Sequence, residues 1–487
     1  MIDVSNMMSR GGDARIVMDP ASGLNRYFSA PRPSRLTAYA SSTANDISAD
    51  AFAHVRAAAE RLAPDGELAA EAYAAALAGM AGRIRRAYGV DDDTDVVFAP
   101  SGTDLEYVTL AAALGRAPGG IHNILLGADE VGSGCIHSAF GRYFADETAL
   151  GAAVSPGDPV PGLDGVTLED VAVRDASGAA RSSVDIAAAL DAAIGRAKAA
   201  GRHALVHVVH GSKTGLIVPT LADVDALAAR HGDAMRLVVD ACQARITGGA
   251  VRDYLARGGI VFVTGSKFMG GPPFSGFALV PRAARPVTRL PEGFATIFRR
   301  AEWPAGWPGR ETLVEGVNLG LLLRLEASVF ELERFQALDP AAVRRAILAF
   351  HNAVRRHMVD GLGARRVAPY PPGDRAVADA HPIEMRTLST LDFSRGGATF
   401  EDAQRWHRAM VDQGVRVGQP VKCVPLAGGG WGATLRIGLA MPQLVRFAAM
   451  EKAALREALD ADMAKIAAAL QAVRAPAGRP LTAVTSP

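Results

Sequence analysis

Cysteine is scarce, with Cys135, Cys242 and Cys423 the three in 487 residues. They are too few and too scattered for a disulfide framework, so a reducing cytoplasm is the expected compartment. An excess of one charge is missing too: 52 Lys+Arg against 51 Asp+Glu leave a formal net charge of +1, and nothing in that balance draws the chain to nucleic acid or to an anionic membrane. No apolar run approaches the roughly 18 residues of a membrane span, and MIDVSNMMSRGGDARIV at the N-terminus lacks the apolar core of a signal peptide. No internal repeat is visible, and the Gly132-Ser133-Gly134 stretch is not a full G-x-G-x-x-G, which disfavours a dinucleotide-binding or P-loop protein. What is present is 49% hydrophobic and 21% charged, a composition able to bury a sizeable core. The length implies about three domains, or one large α/β domain with a smaller partner.

The most informative stretch is LVVDACQARITGGAVRDYLARGGIVFVTGSKFMGGPPFSGFALV, Leu237 to Val280. It reads as a buried strand ending in Asp240, a short helical connection, a second buried strand ending at Thr264, then Ser266 and Lys267 on a Gly/Pro-rich loop. Ligand sites in open parallel sheets lie outside the carboxyl ends of the strands, so this carboxylate and this lysine are expected to meet at one crevice. The pairing suits pyridoxal phosphate, with Lys267 forming a Schiff base and Asp240 keeping the pyridine nitrogen protonated. Upstream, Asp95 to Ala99 reads as a strand running into PSGTDLEYVTLAAALG. A strand, a Ser101-Gly102-Thr103 turn and a helix opening at Asp104 make an anion site, where free N–H groups and the helix dipole converge.

DACQAR followed by TGSKFMGGPP resembles the fold-type I pyridoxal-phosphate enzymes, and within them the class V aminotransferase and cysteine desulfurase branch. The elements S-G-T, D-x-x-Q and S-K occur here in that family's order, over roughly residues 95 to 440. The resemblance implies an α/β fold: a large domain with a mainly parallel seven-stranded sheet and a smaller C-terminal α/β domain. It implies that Lys267 carries the cofactor, that Asp240 pairs with the pyridinium, and that Gln243 hydrogen-bonds the ring hydroxyl. Ser101, Gly102, Thr103 and Ser266 would hold the phosphate, and Ser212 in HGSKTG would approach the ring hydroxyl. Glu130 and Val131 stand where desulfurases carry Glu-His, which leaves the ring-stacking residue unassigned. TLRIGLA resembles the branch's L-R-I-S element, whose arginine binds the substrate α-carboxylate; Arg436 is the matching position. Cys423 lies in a loop shortly before it, where some desulfurases place a nucleophilic cysteine.

The divisions expected from composition and periodicity are an arm over residues 1–45 lying near the substrate entrance and a cofactor-binding domain over 46–312. A bridging helix follows at 313–340, then a small domain at 341–474 and a disordered tail at 475–487. Helices are expected at Ala49 to Leu62, Glu67 to Tyr88, Val184 to Ala200, Leu221 to His231, Leu313 to Leu338, Ala341 to Gly361 and Phe400 to Gln413. Strands are expected near Ile383 to Asp392 and at Thr434 to Leu439. FSGFALVP follows the lysine loop too closely for a helical crossover, so it should return antiparallel. His203, His207 and His210 lie in an apolar strand with the third facing away from the first two, which argues against a metal site. The expected activity is aminotransferase-like chemistry on a small amino-acid substrate by a homodimer. The alternatives are a β-elimination or desulfurase-like reaction and, in a different class, an inactive binding protein that keeps the fold.

Overall fold

The computed structural model describes residues 3–132, 134–371 and 382–474; the tail expected at 475–487 lies outside them. The segment before the first long helix carries a short helix, Val4–Met8, and one strand, β1 (Thr37–Tyr39). α1 (Ala49–Leu62) opens at Ser48, whose hydroxyl accepts from the Ala51 N–H, the ordinary use of a serine N-cap. α2 (Ala70–Tyr88) ends at Gly89 in the left-handed conformation.

Alternating apolar strands and helices follow: β2 (Asp95–Ala99), α3 (Leu105–Ala113), β3 (Ile121–Leu126), β4 (Thr167–Val171), α4 (Ser183–Ala199), β5 (His203–His210), α5 (Leu221–His231), β6 (Met235–Ala241), α6 (Gly248–Ala256), β7 (Ile260–Thr264) and β8 (Gly276–Val280). The strands stand side by side as β2-β8-β7-β6-β5-β3-β4. All neighbours along β7-β6-β5-β3-β4 are parallel, whereas β8 is antiparallel to both β2 and β7. The seven-stranded row is thus the expected one. A two-residue strand, Ile217–Val218, adds an eighth, antiparallel to the end of β5. Helical layers cover both faces, which is why β5, β7 and β8 are buried along their whole length instead of alternating.

α7 (Leu319–Gln336) is shorter than the 313–338 expected, because Asn318 caps it and its side chain accepts from the Leu321 N–H. α8 (Pro340–Val354) is continued by one π-helical turn, Arg355–Asp360. Beyond it come β9 (Leu388–Asp392), α9 (Phe400–Asp412), β10 (Val415–Val417), β11 (Thr434–Gly438) and α10 (Lys452–Arg474). Ile383–Met385, read with the strand, is a 3-10 turn, and α10 has no counterpart among the expected elements. β9 and β11 pair antiparallel, and β1 pairs in parallel with β10, so the N-terminal segment is built into the C-terminal part of the chain. Among the described residues no helix is long and apolar enough to cross a membrane.

Candidate active site

The carboxyl ends of β2, β3, β5, β6 and β7 open into one cavity of about 190 Å³, lined by Gly102, Thr103, Glu130, Ser212, Asp240, Gln243, Ser266, Lys267 and Arg436 among others. Parallel strands make this inevitable: each loop that follows a strand emerges at the same sheet edge. Ser101 and Cys423 of the expected set are not on its wall.

The lysine loop is held from four directions. Asn45 Nδ2 donates to the carbonyls of Ser266 (3.0 Å) and Lys267 (2.6 Å). Phe268 N donates to Gln243 O at 3.3 Å, and Phe268 O accepts from Met441 N at 2.7 Å. At Gly265 a Cβ would fall 2.1 Å from Ser328 Oγ on α7, so only glycine lets the loop lie against that helix. Asp240, at the end of β6, is buried, and its Oδ1 accepts from Cys242 N at 2.9 Å. Gln243 lines the cavity, but its amide already donates to Ser42 O (3.3 Å) and accepts from Arg245 (2.6 Å). Ala244 and Phe274, flanking these loops, have φ of 57° and 70°, a conformation that costs non-glycine residues energy and that gathers at functional sites.

At the head of α3, Ser101 Oγ donates to Asp104 Oδ2 at 2.6 Å, and burial pushes the Asp104 carboxyl up to about 7. Ser101 therefore fixes the turn, and Gly102 and Thr103 reach the cavity. A Cβ on Gly102 would lie 2.9 Å from Thr264 Cγ2 and 3.0 Å from Cys242 Sγ; the turn sits hard against the ends of β6 and β7. Beneath Asp240, Glu106 Oε2 and His207 Nε2 are 3.5 Å apart, both buried and neither hydrogen-bonded. Burial, with Asp240 as second cause, raises the Glu106 carboxyl well above its ordinary range, and burial lowers His207 to about 4. Both are thus favoured in their neutral forms.

Glu130 is tied to Arg174 at 2.7 Å and accepts from Ser212 Oγ at 2.7 Å and from the Thr214 backbone and hydroxyl. Ser212 therefore spends its proton on Glu130. Arg436 is buried on β11. It donates to Gln419 O (2.8 Å), Ser42 O and Lys213 O (both 3.2 Å) and Thr43 Oγ1 (3.1 Å), and burial lowers it to about 10. Cys423 is 2% exposed, and burial pushes its thiol up to about 12, so in this conformation it offers neither access nor a thiolate. Among the described residues no group of three or more His, Cys, Asp or Glu side chains is placed to hold a metal ion.

Sequence reasoning did not single out several wall residues: Arg15, Tyr27, Thr43, Cys135, Cys242 and Phe274. Cys242 was within reach, since it sits inside the DACQAR element. The aromatic side chains on the wall are Tyr27 and Phe274; the segment after β3 contributes Glu130, Val131 and Gly132 instead of an aromatic or His.

The lysine, the strand-end carboxylate and the glycine-lined turn are the donor set that pyridoxal phosphate requires, and they meet at one cavity. No family model matches the chain, and no curated protein matches it. Solved structures with a similar fold include a NifS-like protein, at 13% identity over 87% of this chain and 99% of that one with a TM-score of 0.53. Another is the apo cysteine desulfurase of Thermococcus onnurineus NA1, at 14% identity over 88% and 95% with a TM-score of 0.51. A third is a serine palmitoyltransferase variant solved with PLP, at 14% identity over 94% and 91% with a TM-score of 0.50. Likeness at this identity shows the architecture: the α/β fold of the fold-type I pyridoxal-phosphate enzymes.

Proposed function

We propose that this chain is a pyridoxal-phosphate-dependent enzyme acting on an amino acid, with aminotransferase-like chemistry. The observation that carries the reading is the meeting of Lys267, Asp240 and the Gly102-Thr103 turn at a single cavity. When bound, the cofactor supplies an electron sink for negative charge developing at the substrate Cα.

The chain's own residues divide the remaining work. Lys267 would hold the cofactor, and its Nζ would be the group that takes or returns the proton at the substrate Cα. Asp240 keeps the pyridine nitrogen protonated. Glu106 and His207 beneath this carboxylate are both favoured neutral, so neither competes with it for that nitrogen. The Gly102 and Thr103 N–H groups at the α3 N-terminus, with Ser266, meet the phosphate. Arg436, held in place by three carbonyls and a hydroxyl, keeps one terminal N–H to meet the α-carboxylate with a charge-assisted hydrogen bond. Gln243 and Ser212, on the same cavity wall, would lie near the ring. The proposal extends to a homodimer, which light scattering tests directly.

Elimination or desulfuration uses the same residues up to the proton step, and the fold likeness to the NifS-like protein supports it as a second reading. The burial of Cys423 weighs against that residue as the nucleophile.

The test is an absorption spectrum of the purified protein with added pyridoxal phosphate, before and after borohydride reduction, beside Lys267→Ala. A visible band that borohydride bleaches, leaving the cofactor covalently attached at Lys267, is expected, with no such band in the variant. An amino-acid panel scored for keto acid, ammonia and sulfide then separates aminotransfer from elimination. A protein that takes up no cofactor would refute the reading and leave an inactive, fold-retaining binding protein in its place.

A further inference from the structure

The ionisable side chains on the cavity wall can be paired off. Arg15 is matched by Asp13, which accepts from its Nε (2.9 and 3.0 Å) and from its terminal nitrogen (2.6 Å). Glu130 is matched by Arg174 at 2.7 Å. On the proposed reading, Asp240 and Lys267 are committed to the cofactor. Two cations remain, Lys213 and Arg436, and among the described residues neither has a carboxylate within ion-pair distance. Lys213 Nζ donates to the Asp129 carbonyl at 2.9 Å, and Arg436 donates to carbonyls and a hydroxyl only. They are neighbours, since the Arg436 guanidinium also donates to the Lys213 carbonyl at 3.2 Å.

Arg436 is buried and Lys213 half-buried, and the pKa of each falls. Lys213 drops to about 8, through burial first and the nearby Arg436 second. Arg245, off the wall behind Gln243, is a third buried guanidinium, lowered to about 9 by burial and by Arg436, and its hydrogen bonds also go to uncharged groups. A buried cation without a counter-charge is expensive, and like charges set side by side focus a positive potential on the space between them. With the cofactor phosphate assigned to the Gly102-Thr103 turn and Ser266, one α-carboxylate matches one of the two wall cations and leaves the other facing only Glu130, beyond ion-pair distance.

We infer that the cavity is built for an amino acid carrying a second acidic group on its side chain, with Arg436 meeting the α-carboxylate and Lys213 the second anion. This rests on the proposed reading of the site and narrows it to a substrate class. Lys213 acts as a specificity residue; it needs to touch neither the Cα proton nor the cofactor.

The experiment uses three pairs of non-reacting ligands that differ by one carboxylate: butyrate and succinate, valerate and glutarate, hexanoate and adipate. Each is titrated calorimetrically into the protein with pyridoxal phosphate present, while absorption reports cofactor uptake separately. In at least one pair the dicarboxylate should bind about tenfold tighter or more, the usual return on a desolvated charge-assisted contact. That preference should shrink to within about twofold in Lys213→Gln and persist in Lys213→Arg, with the cofactor band unchanged in both. Equal binding of mono- and dicarboxylate in all three pairs overturns the inference, as does a preference that survives Lys213→Gln. Failure of the cofactor reading shows as a colourless protein, whatever the calorimetry gives.

Discussion

Asn45 offers the sharpest test of how Lys267 is held. Its side chain faces two carbonyl oxygens, those of Ser266 and Lys267, so only the amide nitrogen can point at them. Asn45→Ala removes both donors and leaves two carbonyls in a largely desolvated place. At a net value of about 0.5–1.5 kcal/mol per hydrogen bond, the loss is about 1–3 kcal/mol. Asn45→Asp keeps the shape and replaces the donor by an acceptor at the same 2.6 Å from the Lys267 carbonyl. It loses the same two bonds and adds repulsion and the desolvation of a charge, which brings the cost to about 3–5 kcal/mol. The order of stability should therefore be wild type, then Ala, then Asp. Urea unfolding read by tryptophan fluorescence measures it. Displacement of Lys267 should also slow borohydride trapping of cofactor in the same order, since misplacement of a reacting group by ~1 Å costs as much as about 100-fold. An aspartate variant as stable as the alanine one, or both within about 0.5 kcal/mol of wild type, would show that this contact does not hold the loop.

Gly102→Ala should leave the protein folded, at an overpacking cost of about 1–3 kcal/mol. It should weaken cofactor binding at least about tenfold, because the new Cβ lies within 3.0 Å of Thr264 and Cys242; unchanged affinity for pyridoxal phosphate would remove the turn from the site. Cys423→Ser should keep activity on the best amino acid within about twofold; abolished sulfide release with intact cofactor binding would restore the thiol to the mechanism. His203, His207, His351 and His407 are pushed down to about 4 by burial. Since the unfolded chain then binds more protons between about 4 and 6.5, these four lower the stability as pH falls through that window. Asp104 and Glu302, raised to about 7 by burial, act in the opposite sense over much of the same range. Replacing His351 by Gln, which cannot take up the proton, should therefore reduce the stability lost between pH 7 and pH 5 in urea unfolding, and an unchanged pH dependence would contradict its assignment as neutral.

The strands β2, β3, β5, β6 and β7 were legible because each is a short apolar run stopped by Gly, Pro or a polar turn, and both faces of the sheet are covered. α1 was legible to the residue because Ser48 caps it and its apolar positions keep a helical period. Lys267, Asp240 and Thr103 were singled out by their order along the chain, and the parallel topology brings them to one sheet edge, whereas Arg436 reaches the same cavity from the separate antiparallel pair β9-β11. Arg15, Tyr27 and Thr43 carry no such periodic signal. Their place on the wall is set by contacts hundreds of residues away, such as Arg436 with Thr43. The burial of Cys423 was equally invisible, since a loop cysteine reads the same whether it faces a cavity or the core. Lys213 stood in plain view in HGSKTG, but its lack of a counter-charge is a property of packing.

The contacts of the N-terminal segment carry a consequence for biosynthesis. Arg324 donates to the carbonyls of Met8, Arg10, Gly11 and Phe274, Asn45 waits for Lys267 across 222 residues, and Ser41 for Leu439 across 398. At a translation rate of roughly 5–20 residues per second, the earliest-made residues spend about 10 to 80 seconds without these partners. A nascent chain can complete its central sheet, expose Lys267 and still have no finished pocket, because the piece that closes it emerged first and docks last.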